Sequence, residues 1–136
     1  MKLDENELEQ LLRDLFPTSD QIPQVESITT KEVFLRLPIK DHHLRPGGSV
    51  SGPTQMALAD TAAYVLILSR LGPVVQAVTT SLQMDFLKRP TPHDLIAHGE
   101  VLKFGKRLVV SRVTLFSSGT PEPVSHATVT YSIPKK

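Results

Sequence analysis

Asp60 is the residue of this 136-residue chain best placed to do chemistry. It is the only acid within residues 53–70 (PTQMALADTAAYVLILSR), a stretch otherwise rich in Ala, Leu and Met. An ionised carboxylate in apolar surroundings is costly unless it is paired or hydrogen-bonded. The same surroundings can tune its proton affinity toward general-base work. Two readings compete: a catalytic base, or an acid that faces solvent or is tied to Thr61 or a nearby backbone group. Just upstream, residues 47–53 (GGSVSGP) form a loop-to-helix junction. A helix start offers free N–H groups and a partial positive charge, suited to an oxyanion or a polarised carbonyl. A capped helix after a flexible loop explains the same residues without any ligand.

Spacing limits how these two features could cooperate. Gly52 and Asp60 are eight residues apart, about 12 Å along a helix axis at 1.5 Å per residue. One reacting carbonyl cannot touch both. Two copies of the helix, antiparallel across a twofold axis, would bring Gly52 of one chain toward Asp60 of the other, so joint action requires a dimer.

Other chemistries find less support. The chain has no cysteine, which excludes thiolate nucleophiles, disulfides and zinc–thiolate sites. Its five histidines show no metal-ligand spacing such as H-x-H or H-E-x-x-H, so no metal and no cofactor are expected. Ser49 and Ser51 sit in no G-x-S-x-G elbow, which leaves a serine triad to tertiary contacts alone. Neither GxGxxG nor GxxxxGK[ST] occurs. A formal charge of +1, with 5% aromatic residues and no tryptophan, argues against a nucleic-acid partner. The N-terminus is charged, and no window is apolar for long enough to span a bilayer. A cytoplasmic protein without a membrane partner is expected. Lys88, Arg89, Lys103, Lys106 and Arg107 gather at turns, where they would suit ligand phosphates or simply keep sheet edges soluble.

The elements that must position these residues follow from periodicity. Leu3, Leu8, Leu11, Leu12 and Leu15 predict an amphipathic helix over residues 4–16, ended by Pro17. Ile22 to Gln24 reads as a connector, and residues 33–39 alternate as a half-buried strand. Residues 53–70 predict a long helix, apolar nearly all round and therefore buried, which stops at Leu71-Gly72-Pro73. Residues 74–87 predict a strand with Val78, Thr80, Leu82, Met84 and Phe86 on one face. Residues 95–104, 107–117 and 124–133 follow with short connections, which implies antiparallel pairing. The expected fold is α+β: an antiparallel five-stranded sheet wrapped around one long central helix, with an extra N-terminal helix. One domain is expected over 1–136, with 1–21 as the helical extension and 22–136 as the core.

Three segments resemble a known family. Residues 48–62 (GSVSGPTQMALADTA) resemble the G-x-x-H-G-G-x-x-x-x-L-A-D-T-A signature of phenylacetate-pathway (PaaI-type) hotdog-fold thioesterases. Residues 77–90 (AVTTSLQMDFLKRP) are similar to the family strand that ends in a hydrophobic–basic–Pro turn. Residues 103–107 (KFGKR) are similar to its K-x-G-[KR]-[KR] turn. The likeness covers about residues 25–134, in order. It implies hydrolysis of acyl-coenzyme A by a homodimer, often paired into a tetramer. It implies Asp60 as general base or nucleophile, the Gly52 N–H on the thioester carbonyl, and Thr79 helping to place water. It further implies contacts from Lys88, Arg89, Lys106 and Arg107 to coenzyme A phosphates. Arg45 and Ser51 stand where relatives carry Asn and His, and Pro53 replaces a second glycine and has no N–H to give. The acyl chain is expected along the helix near Met56 and Tyr64. These departures also motivate an alternative, a non-catalytic acyl-CoA-binding or structural module that has lost turnover. A hotdog dehydratase is a weaker third option, since its Asp/His pairing is not visible.

Overall fold

The computed structural model describes residues 2–135. Helix α1 (Glu5–Leu15) begins at a capping box: Asp4 accepts from the Glu7 N–H at 2.9 Å, and Glu7 accepts from the Asp4 N–H at 3.1 Å. Its apolar stripe is driven inward, with Leu8 and Leu12 fully buried. Strands β1 (Gln24–Ile28) and β2 (Glu32–Leu37) form a hairpin, and a 3-10 turn at Asp41–His43 leads into the glycine loop. Helix α2 (Gly52–Leu71) follows, then β3 (Val78–Phe86), β4 (Leu95–Phe104), β5 (Leu108–Ser117) and β6 (Pro123–Ser132).

All pairings are antiparallel and the spatial order is β1-β2-β4-β5-β6-β3. The sheet has six strands, not five. The segment read as a connector leads straight into β1, which hid because its buried residues, Val25 and Ile28, are three apart. A bulge between Val25 and Ser27 breaks the period of two that marks a strand.

The sheet curls around α2 in the hotdog arrangement. From Leu58 to Ser69 every residue of the helix is buried except Asp60 and Thr61, so the expectation of a buried helix holds over these turns. The first turns are more open, and Met56 is 42% exposed. Close approach of helix and sheet depends on Gly99 in β4. A Cβ there would lie 3.0 Å from Val33 Cγ1 and 3.5 Å from Ala62 Cβ. The helix ends at Gly72, whose φ of 78° suits glycine, with its N–H donating to the Leu68 carbonyl at 2.9 Å.

Strand β3 closes one edge, paired with β6 alone, and most of its residues are exposed. It carries a bulge between Thr79 and Ser81 that shifts the pattern. Thr79 therefore points inward to the helix and joins the face that holds Leu82, Met84 and Phe86. Val78 and Thr80, expected on that face, are exposed.

Candidate active site

Asp60 lies near the middle of α2, where the helix passes under β3 and β6. Thr79 Oγ1 donates to Asp60 Oδ1 at 2.6 Å, and the Tyr131 hydroxyl donates to the same oxygen at 3.0 Å. Tyr131 also reaches the Asp60 carbonyl at 3.3 Å. Both hydroxyls converge on Oδ1, and no hydrogen bond from the described residues occupies Oδ2. The acid is half-buried, not turned fully to bulk water. Thr61, the alternative local partner, is engaged elsewhere: its hydroxyl donates to the Ala57 carbonyl at 2.9 Å. One carboxylate oxygen is thus held by two hydroxyls while the other has no protein partner among the described residues.

Tyr131 was not singled out from the sequence. It alternates with Ala127 and Val129 along the inner face of β6, and a tyrosine on an inner face needs a partner for its hydroxyl. Burial pushes its phenol well above the ordinary tyrosine value, so it stays a donor to Asp60. The Tyr64 ring stacks on Tyr131 with centroids 5.7 Å apart and planes 10° from parallel. Tyr64 Oη donates to the Val74 carbonyl at 3.3 Å, and burial raises its phenol as well. These two rings, with Val75, Ala77, Val78 and Thr79, wall a cavity of about 290 Å³. Tyr64 therefore reaches the neighbourhood of the acid through Tyr131. Met56 is not part of this cavity.

The start of α2 forms a second centre. Ser51 caps the helix: its Oγ accepts from the Thr54 N–H at 3.3 Å and meets Thr54 Oγ1 at 2.8 Å. Its hydroxyl is thus engaged in the cap. Positive φ at Gly47 and Gly48 folds the preceding loop into a tight turn, closed by the Arg45 N–H on the Ser49 carbonyl at 2.9 Å. That turn and the end of β3 enclose an open cleft of about 350 Å³, bordered by Arg45, Gly52, Gln55, Phe86, Lys88 and Arg89. The Phe86 ring lies over Gly52, where a Cβ would meet Cζ at 3.5 Å. The Gly52 N–H, in the first turn, has no acceptor among the described residues. Lys106 and Arg107 stay at the β4–β5 turn and border neither the cleft nor the aromatic cavity.

The one chain thus carries two separate groups, an acid with its hydroxyls and a helix start with three cations, with Asp60 and Gly52 eight residues apart on one helix. A family model described as "Thioesterase superfamily" matches residues 47–124, more than half of the chain and a span that includes Gly52, Asp60 and Thr79. The chain belongs to the thioesterase superfamily. Among solved structures, a candidate thioesterase from Silicibacter sp. TM1040 is 40% identical, with 98% of this chain and 93% of that one covered and a TM-score of 0.90. Zebra fish thioesterase superfamily member 2 covers 98% of this chain and 100% of its own at 19% identity, with a TM-score of 0.83. A candidate thioesterase related to phenylacetic acid degradation, from Ralstonia eutropha JMP134, covers 90% and 98% at 18% identity, with a TM-score of 0.76. The last two likenesses show the shared fold. A comparison with curated proteins finds no match. The hotdog thioesterase family expected from the Leu-Ala-Asp-Thr-Ala string is the one found. Among the described residues no helix is long and apolar enough to cross a membrane, and no cluster of acidic and histidine side chains would hold a metal ion.

Proposed function

We propose that this thioesterase-superfamily protein hydrolyses acyl-coenzyme A to the free acid and coenzyme A, at a site shared by two copies of the chain. The observation that carries the reading is the Asp60 carboxylate, fixed through Oδ1 by Thr79 and Tyr131, with no partner for Oδ2 among the described residues. Oδ2 takes a proton from water as the water oxygen attacks the thioester carbon. The Gly52 N–H of the other copy holds the carbonyl oxygen as it gains charge. The C–S bond then breaks, and the thiolate receives the proton from Asp60. Arg45, Lys88 and Arg89 around the Gly52 cleft would meet the coenzyme A phosphates. Lys106 and Arg107 would do so only if a second copy brought their turn near.

The case for a dimer, with a pair of dimers as the larger assembly, rests on β3. It is an unpaired sheet edge with Val78, Phe86 and Leu87 more than half exposed, a surface that soluble proteins commonly cover. The cytoplasmic setting expected from the sequence belongs to the same proposal.

The deciding experiment is release of free thiol from a panel of acyl-coenzyme A esters by the wild type and Asp60→Asn. At least a tenfold loss with the fold kept is expected; an unchanged rate on the best substrate overturns the role of Asp60. A second reading, a binding module without turnover, is favoured by Ser51 being committed to its helix cap and Pro53 lacking an N–H. Calorimetric binding without thiol release from any ester would establish it.

A further inference from the structure

We propose that Phe16, presented by the N-terminal helix, is the specificity-determining residue for the acyl group: it splits one trough beside Asp60 into two cavities and so limits acyl length. The substrate rests on the hydrolase reading above; the division of the cavities does not. The aromatic cavity of about 290 Å³ includes Phe16 together with Tyr131 and Thr79, the two donors to Asp60. A second cavity of about 180 Å³ includes Phe16 together with Asp60 itself, Leu12, Ile22 and Ala57. Phe16 is the one residue common to both. Asp60 thus borders one cavity and its two hydroxyl donors border the other.

Phe16 is a wall and not a mobile lid. Its N–H donates to the Leu12 carbonyl at 3.0 Å, and its ring stands edge-on to Tyr64 at 6.4 Å. The helix behind it is anchored by the fully buried Leu8 and Leu12 and by Glu9, which accepts the Val25 N–H at 3.0 Å. Phe16 is 46% exposed and borders both cavities. The aromatic cavity is small against ligand sites of roughly 300–1,000 Å³. Its only side-chain hydroxyls besides that of Tyr64 are already directed at Asp60, so what remains for a ligand tail is apolar wall. It therefore suits a short apolar acyl group, whose extension is stopped by Phe16. Removing the ring joins the two cavities and opens a path toward Leu12 and Ile22.

The test compares the wild type with Phe16→Ala and Phe16→Trp on butanoyl-, octanoyl- and hexadecanoyl-coenzyme A. Two readouts are taken: kcat/KM from thiol release, and affinity for S-alkyl-coenzyme A thioethers of the same lengths, which cannot be hydrolysed. Phe16→Ala is expected to raise the hexadecanoyl-to-butanoyl ratio about tenfold in both readouts, the scale of a changed apolar pocket contact. Phe16→Trp is expected to lower the octanoyl value and, with its larger ring, keeps the question open to test should the alanine variant fold poorly. If no ester is cleaved but thioether affinities shift with residue 16, the hydrolase reading fails and the role of Phe16 stands. If esters are cleaved with the same length profile in all three proteins, the role of Phe16 falls and the hydrolase reading stands. A changed oligomeric state in light scattering, with the length profile intact, would make Phe16 an interface residue and also overturn the inference.

Discussion

Thr79 and Tyr131 are direct partners across the β3–β6 pair, and their hydroxyls end on the same oxygen of Asp60. A bulge one residue on from Thr79 makes this convergence work. Without it, Thr79 would share a face with Ser81 and Gln83, and the inner face of β3 would begin at Val78. The two hydroxyls constrain one group, so removing them is expected not to add. Thr79→Val and Tyr131→Phe should each slow thioester hydrolysis about tenfold, and the double variant should lose much less than the product of the two. KM should change little, because neither hydroxyl is needed to hold coenzyme A. Fully multiplicative losses would mean that the two act on separate steps.

How much of this was legible beforehand depends on period and distance. The two helices were readable to within about a residue at each end, because Pro17, Pro53 and Gly72-Pro73 punctuate strong patterns. β1 was not, since its bulge removes the alternation and leaves only Val25 and Ile28 as signal. Asp60 stood out as the one acid in an apolar helix, and Thr79 entered through the family resemblance. Tyr131 lies 71 residues from Asp60, and only the pairing of β6 with β3 brings it there. Phe16 was hidden differently: as the last apolar residue before Pro17 it looked like the end of a surface helix, and nothing local shows that Tyr64 lies beneath it. Ser51, which stands where relatives carry His, makes the cap hydrogen bonds usual for a serine before a helix.

His43 should make the fold acid-sensitive. Its ring is fully buried; Nδ1 accepts the Lys40 N–H at 2.9 Å, and Nε2 has no partner among the described residues. Burial lowers its pKa from the ordinary histidine value, and neighbouring His42 pushes the same way against the weaker pull of Asp20. The unfolded chain therefore binds a proton that the folded chain refuses. The stabilisation is complete above the unfolded value of about 6.5 and is lost as pH falls through it toward the lower folded value. Thermal melts of the wild type should fall across that window, and His43→Gln, though less stable at neutral pH, should show a flatter slope there. Equal slopes would place the acid sensitivity on other groups.

Shared catalysis has a sharper consequence than any single variant, because it predicts recovery of activity from two dead proteins. Asp60→Asn removes the base. Gly52→Pro removes the N–H at the helix start, and the backbone admits it: Ser51 already has φ −67° and ψ 152°, the conformation that a following proline demands. Neither homodimer should turn over. In an equal mixture about half of the dimers are mixed, and each mixed dimer has one site with both defects and one with neither. Unfolding and refolding the two proteins together should therefore restore about one quarter of wild-type activity, a statistical outcome of twofold pairing. The roughly 12 Å between the two residues along their helix rules out recovery within a single chain. A mixture that exchanges subunits by mass-tagged sedimentation yet stays inactive would mean that Gly52 and Asp60 never act on the same thioester.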